Sequence, residues 1–417
     1  MNWEKRNYIY FCTLLLVCLF TSIPELISSL QGSFGSSEFG MFRVIRESLL
    51  LIMILESVYL FVFINCCKAK IVNIIIFLTI AIYIILIVSK SYINGTSILW
   101  IGMGLRPVLM LFLIYSIRFI RLDTDRINGL SRIVKLFLVM QIPACLFQLY
   151  FFPPIQGQTI FGPRVFGTFP NPILLSQALS AIFLFLFIMN RSSNTLYWGL
   201  VCFMLSIISG GRSGMMGVAL IFTYMFLQIF RNKLVKIFAL VMSFVIIVCA
   251  YFLFSSSALS GREIDTFSKE RRLANWGKML SGLADKGGDR LLLGEFVGSG
   301  SNLLKSFSKK SGRDDLARDR YDADSMFIYL IMSYGILGLS IFVLAMVYIF
   351  KNIDGNEKYL VFILFLWLGT SQNILEIYPV NIIFIILIGY LLNNKCVQDQ
   401  VTNNTIIVHN PIRGEAS

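Results

Sequence analysis

Residues 71–88 read IVNIIIFLTIAIYIILIV, eighteen positions without a charge. At about 1.5 Å of rise per residue the run makes a helix about 27 Å long, close to the hydrocarbon thickness of a bilayer. It is apolar on every face, so no side of it is left for water. Lys68 and Lys70 precede it and Lys90 follows it. The rest of the chain has the same character. Its 417 residues are 57% hydrophobic and only 14% charged, far below the charge content of a soluble domain. Mean hydropathy is +0.76, which excludes a water-soluble enzyme. Twelve spans of about 20 residues would occupy about 240 positions, matching the hydrophobic fraction.

The apolar runs predict an all-α polytopic membrane protein of about twelve transmembrane helices. They fall near 8–23, 47–65, 71–88, 98–117, 133–152, 173–189, 196–210, 214–230, 234–254, 324–350, 359–376 and 379–392. Residues 1–254 thus hold nine helices with short loops, 255–323 one large polar loop, 324–393 three more helices, and 394–417 a tail. The first run ends in Ile23-Pro24-Glu25 without a small-residue cleavage site, so it is expected to be retained. With the N-terminus inside, the inner segments carry seventeen Lys and Arg, from Lys5 and Arg6 to Lys395 and Arg413. The short outer loops carry only Arg43, Arg46, Lys90, Arg164 and Arg212. Lys and Arg concentrate on the cytoplasmic side, so both termini are expected there. The same asymmetry accounts for the net charge of +13, and nucleic acid is not an expected partner.

The 255–323 loop contains thirteen basic residues, but long loops cross largely regardless of charge, which places it outside. Within it, Leu273, Trp276, Met279, Leu280 and Leu283 recur at helical spacing. They predict an amphipathic helix on the outer interface.

Chemistry must rest on carboxylates and arginines. The one histidine, His409, is in the tail, which leaves no Ser-His-Asp triad or histidine-built metal site unless the tail enters it. The eight cysteines lie mostly in apolar runs, never as C-x-x-C, and read as small buried hydrophobes. Arg164, in a segment with three prolines and two glycines, either snorkels to headgroups or clamps an anion. Arg212, in Ser209-Gly-Gly-Arg-Ser-Gly214, marks either a tight turn or a phosphate site at a helix N-terminus. Arg106 lies inside an apolar run and calls for a partner, with Glu56 as the candidate. Glu376, beside Tyr378, is either an interfacial cap or a substrate contact. Asp324, in Asp322-Ala-Asp324-Ser325, is either a helix N-cap or a carboxylate facing the arginines. Arg164, Arg212, Arg272 and Asp324 all fall on the outer side. Arginines there suit phosphate oxygens, and a carboxylate could accept a proton from an attacking hydroxyl.

Four pieces occur in order: GPRVFGTFPNP at 162–172, SGGRSG at 209–214, RRLANW at 271–276 with LLLGEFVGSGS at 291–301, and DSMFIYLIMSYGILGL at 324–339. In these the chain resembles, over roughly 155–345, the bacterial O-antigen polymerase and ligase superfamily. The resemblance implies a membrane glycosyltransferase (GT-C-like) architecture in the bacterial inner membrane, with a periplasmic active site. It implies transfer of a growing glycan from undecaprenyl diphosphate to the non-reducing end of a lipid-linked repeat unit. No metal and no cofactor are implied. By position, Arg164, Arg212 and Arg272 would hold the diphosphate. The residues themselves, apart from the resemblance, offer Asp324 as the candidate base and Arg271, Glu376 and Tyr378 as candidate substrate contacts. Partners would be the undecaprenyl-diphosphate-linked oligosaccharide, the lipid bilayer, a chain-length regulator and a flippase. The ligase branch has a histidine where this chain has Asp324, which favours the polymerase branch. An O-antigen ligase and a lipid-linked glycan transporter are the alternatives.

Overall fold

The computed structural model describes residues 3–20, 40–59, 71–114, 117, 120, 122–151, 158–159, 162–169, 171–190, 194–229, 266–301 and 323–393. The expected ninth span (234–254), Asp322, the tail with His409 and the side chains of Arg271 and Arg272 lie outside the described residues.

The described chain is helical, apart from a two-residue antiparallel ladder. Helices α1 (Trp3–Phe20), α2 (Gly40–Tyr59), α3 (Ile71–Ile93), α4 (Ile98–Leu109) and α5 (Thr124–Phe151) come first. The strands β1 (Gln158–Thr159) and β2 (Gly162–Pro163) pair Gln158 with Pro163 and Thr159 with Gly162. Helices α6 (Pro172–Met189), α7 (Thr195–Ser209), α8 (Arg212–Ile229), α9 (Thr266–Asp285), α10 (Gly288–Leu293), α11 (Met326–Lys351) and α12 (Glu357–Ser371) follow. A last apolar helix, α13, spans Val380–Asn393.

Helices α5, α6 and α11 are long and apolar enough to cross a membrane; the apolar segments Leu78–Ile93, Trp100–Phe112, Thr195–Ser209 and Val380–Asn393 are shorter. Around the bundle, apolar side chains face outward in helical stripes. Ile75, Leu78, Ile82 and Ile85 of α3 are each about half exposed or more, as are Leu51, Ile52 and Leu55 of α2. In water such stripes would drive aggregation. In hydrocarbon they are the expected surface, and the molecule is a membrane protein.

The centre is α6. Asn171 caps it by accepting the Leu174 amide at 2.9 Å, and Pro172 follows at the first turn, where its missing N–H costs nothing. From Leu175 to Met189 every residue is buried. A helix apolar on all sides can be enclosed by other helices, and α5, α7, α8 and α12 pack around this one. The closest approach is to α8. A Cβ on Gly211 or Gly214 would overlap Ser176 of α6, and Ser180 Oγ donates to the Gly214 carbonyl at 2.5 Å. Small residues that let backbones touch are the usual means of joining helices in lipid, where burial of apolar surface supplies no drive.

One stretch of irregular backbone enters the bundle. Residues 294–301 are mostly buried, and their polar groups find partners. The Glu295 amide donates to the Met332 carbonyl (2.9 Å), the Val297 amide to Ser91 Oγ (3.0 Å), and Ser333 Oγ to the Ser299 carbonyl (2.5 Å). Irregular backbone at this depth is tolerated when the protein itself satisfies it. Helix α11 kinks to admit the stretch. Gly335 has φ +67, and a Cβ there would overlap the Leu292 carbonyl, so glycine is required on both steric and conformational grounds.

The connections 209–212, 286–301, 323–325 and 372–379 gather at one end, called here the loop-bearing end. At the opposite end Arg6 pairs with Glu56, and Tyr8 Oη donates to the Arg126 carbonyl at 3.0 Å. Glu56 is therefore not the partner of Arg106, contrary to the sequence expectation. The amphipathic helix exists as α9, packed on α10 and α11. Of its stripe, Met279 and Leu283 are buried, Trp276 and Leu280 are half-buried, and Leu273 is 64% exposed.

Candidate functional site

At the loop-bearing end the segment after β2 is pinned by two buried glutamines of α5. Gln148 Oε1 accepts the amides of Phe166 and Gly167, each at 2.8 Å, and its Nε2 donates to the Gly167 carbonyl at 2.6 Å. Gln141 Oε1 accepts the Thr168 amide at 3.0 Å. Gly167 takes φ +56 to make the turn. Val165, Phe166, Thr168 and Phe169 are consequently buried rather than spread on a membrane surface. Sequence reading passed over these glutamines. Their i, i+7 spacing on one face of the apolar C-terminal half of α5 was the available signal.

This pinned segment aims Arg164 at the end of α7. Its Nε donates to the Ser209 carbonyl (3.0 Å) and its Nη2 to the Gly210 carbonyl (3.2 Å). The arginine thus caps orphan carbonyls at a helix C-terminus, where a positive charge is also favoured by the helix dipole. Gly210, at φ +65, is the left-handed residue that ends α7. The motif SGGRSG has two uses beyond ligand binding: a helix stop at Gly210 and close packing at Gly211 and Gly214. It still leaves Arg212 exposed as the first residue of α8. Behind it, Trp367 Nε1 donates to the Ser213 carbonyl (3.0 Å), and Gln177 Nε2 donates to Ser371 Oγ (2.9 Å) and approaches Ser213 Oγ (3.4 Å).

Asp324 is half-buried and is not the N-cap of α11. That role belongs to Ser325, whose Oγ accepts the Phe327 amide (3.3 Å) and also approaches the Gly369 carbonyl (3.4 Å). On the other side, the Ala323 amide donates to the Gly300 carbonyl at 3.3 Å. Next along the same loop, Ser301 Oγ donates to Glu376 Oε1. Asp324 and Glu376 therefore flank one stretch, Gly300–Ser301.

Sequence reading singled out Arg106 but gave it the wrong partner, and it took Arg46 for a loop charge. Arg46 and Arg106, on α2 and α4, converge on one oxygen of Glu47. Nη2 of Arg46 and Nη1 of Arg106 each lie 2.8 Å from Glu47 Oε1. Both guanidiniums also sit on the Tyr378 ring, at 4.2 Å and 5.3 Å from its centroid. Each arginine side chain is only 11% exposed. Burial raises the Tyr378 phenol above its ordinary value, against the lowering effect of Arg106 and Arg46. Its hydroxyl points to Met110 Sδ at 3.3 Å. Arg106 Nε is buried without a hydrogen-bond partner among the described residues. Such a group ordinarily costs a few kcal/mol, more when charged, unless something supplies an acceptor.

Arg271 and Arg272 belong to α9, and their positions on that helix are all that is described. Among the described residues no three His, Cys, Asp or Glu side chains gather as metal ligands.

The fold and these groups define a helical membrane protein with arginines and carboxylates collected at one end. No family model matches the chain, and no curated protein is similar to it.

Proposed function

We propose that the protein is a polysaccharide polymerase of the O-antigen polymerase kind. It has twelve membrane-spanning helices in the GT-C-like manner and sits in the bacterial inner membrane with both termini cytoplasmic. The loop-bearing end faces the periplasm. There the hydroxyl at the non-reducing end of a lipid-linked repeat unit attacks the anomeric carbon of the growing glycan. A carbon–oxygen bond forms to the acceptor as the bond to the diphosphate breaks. The leaving undecaprenyl diphosphate takes the electron pair, and a carboxylate, Asp324 or Glu376, takes the hydroxyl proton. One displacement inverts the anomeric centre.

In this reading Arg212 holds the departing diphosphate, where charge grows during the step and bidentate donors count most, and the resemblance assigns the same role to Arg272. Arg164 fixes the turn that carries Arg212. Arg271 and Tyr378 border the site. No metal takes part in the step.

The observation that carries the reading is convergence of the resembling pieces. Arg164 of the first piece is bonded to Ser209 and Gly210 of the second. Gly294 and Ser299 of the third lie against Ser333 of the fourth.

The test uses purified protein in detergent, a defined undecaprenyl-diphosphate repeat unit, and EDTA. A ladder of integral repeats on a gel is the expected result. Absence of any ladder, with a repeat unit that a cell of the matched strain does polymerise, would overturn the reading. Transfer to a lipid A core acceptor would then point to a ligase, and movement of the lipid without new glycosidic bonds to a transporter.

A further inference from the structure

The reaction proposed above brings two lipid-linked diphosphates together, one on the donor, which leaves, and one on the acceptor, which stays attached to the lengthened glycan. A single arginine site accounts for only one of them. We propose that the Arg46–Arg106 pair is a second anion site, which takes the diphosphate of the other lipid-linked substrate. The inference rests on the proposed polymerase reading.

Three observations carry it. First, donors outnumber acceptors. Two guanidiniums have ten N–H groups between them. Among the described residues their hydrogen bonds go to a single oxygen, Glu47 Oε1, through Nε and Nη2 of Arg46 and Nη1 of Arg106. Arg106 Nε, fully shielded, has no hydrogen-bond partner among them. Buried charges are normally paired and hydrogen-bonded, and this pair has spare capacity of the kind that phosphate oxygens fill. Second, the pair shares one support. Both guanidiniums lie over the Tyr378 ring, a contact that uses none of their N–H groups. Third, the pair lies close to the loops, at the end where the proposed reading places the diphosphates. Arg46 lies six residues into α2 and Arg106 eight residues into α4, about 10 Å from the helix starts at the loop-bearing end.

Glu47 is the carboxylate that a bound anion must compete with. Its side chain is 35% exposed, far more than either arginine, so the opening of the cluster lies on its side. Glu376 lies within electrostatic reach of Arg106 and links the cluster, through Ser301, to the loop beside Asp324. The second lipid would thus be held next to the carboxylates that serve the transfer.

Glu47→Gln gives the sharpest test, because it removes the competing charge and keeps the side-chain shape. Binding of radiolabelled undecaprenyl diphosphate to the full-length protein in nanodiscs is measured to saturation. The expected result is two lipids bound per chain, one of them several-fold tighter in Glu47→Gln. Arg46→Gln with Arg106→Gln should leave one lipid bound, and Arg212→Ala should remove the other. A cluster that serves only to join α2 and α4 would give a destabilised Glu47→Gln protein with unchanged lipid affinity, and that outcome overturns the inference. If the double glutamine variant fails to fold, Arg106→Lys alone should weaken one of the two sites and leave the other as it was. One lipid per chain in the wild type, together with a product ladder, would sink the second site and leave the polymerase standing. No ladder and no bound lipid would sink both.

Discussion

Arg164 and Arg106 are both arginines near the loop-bearing end of an apolar bundle. Arg164 commits Nε and Nη2 to the carbonyls of Ser209 and Gly210, where a helix needs its last acceptors satisfied. Arg106 gives one nitrogen to Glu47, shares that oxygen with Arg46, and keeps Nε unbonded. The role of an arginine in such a place is set by where its donors go. Those of Arg164 answer needs of the fold. Those of the buried pair exceed what the fold asks of them.

The comparison can be broken at several points. The largest effect is expected at Arg212, which is exposed and opens α8 in the very turn that Arg164 fixes. Arg212→Ala should lower polymerisation by about 100-fold or more, the range for loss of a donor to developing charge, with an unchanged melting temperature in detergent. Near-normal turnover would remove Arg212 from the diphosphate site. Arg164→Ala should instead cost about 2–3 kcal/mol of stability, since the buried Ser209 and half-buried Gly210 carbonyls lose a charged donor. Lysine there should recover only part of that, because an ammonium lacks the fork that reaches both oxygens. A stable, inactive Arg164→Ala protein would mean that this arginine touches substrate after all.

The neighbouring Asp324 and Ser325 sharpen the same contrast between fold and chemistry. Ser325→Ala should cost about 1 kcal/mol as a lost N-cap, read from thermal unfolding. Asp324→Asn should leave unfolding unchanged and affect turnover only. If Asp324→Asn is as destabilising as Ser325→Ala, the aspartate is serving the helix. The smallest expected effect is that of Ser301→Ala. It removes one hydrogen bond to Glu376, about 0.5–1.5 kcal/mol or less, and should show in turnover more than in melting.

Much of the fold could be read in advance because the solvent writes it into composition. A run such as 71–88 must be helical and surrounded by lipid or protein, whatever its neighbours are. Helix ends were legible within a few residues where Gly, Pro or Lys marks them, as at Pro172 and Gly210. The site was legible only in part. Arg164 and Arg212 stood out as charges in the wrong place, but their spacing says nothing of the hydrogen bond from one to the other's turn. Arg46 was read as a loop charge, and Arg106 was matched to Glu56 because both lie inside apolar runs. Which of Glu47 and Glu56 faces α4 depends on the rotation and register of α2, and no local pattern encodes that.

The sequence by itself therefore determined the class of molecule, the positions of the apolar helices among the described residues and the concentration of arginines near the loops. These follow from transfer free energies and from chain geometry, which are local. Only the tertiary structure decided which glycines are there for packing. It also decided that Ser325 rather than Asp324 caps α11, and that two arginines 60 positions apart share one carboxylate oxygen. Those outcomes depend on how helices abut, and donors buried in a membrane protein must find their acceptors wherever the neighbouring helix presents them.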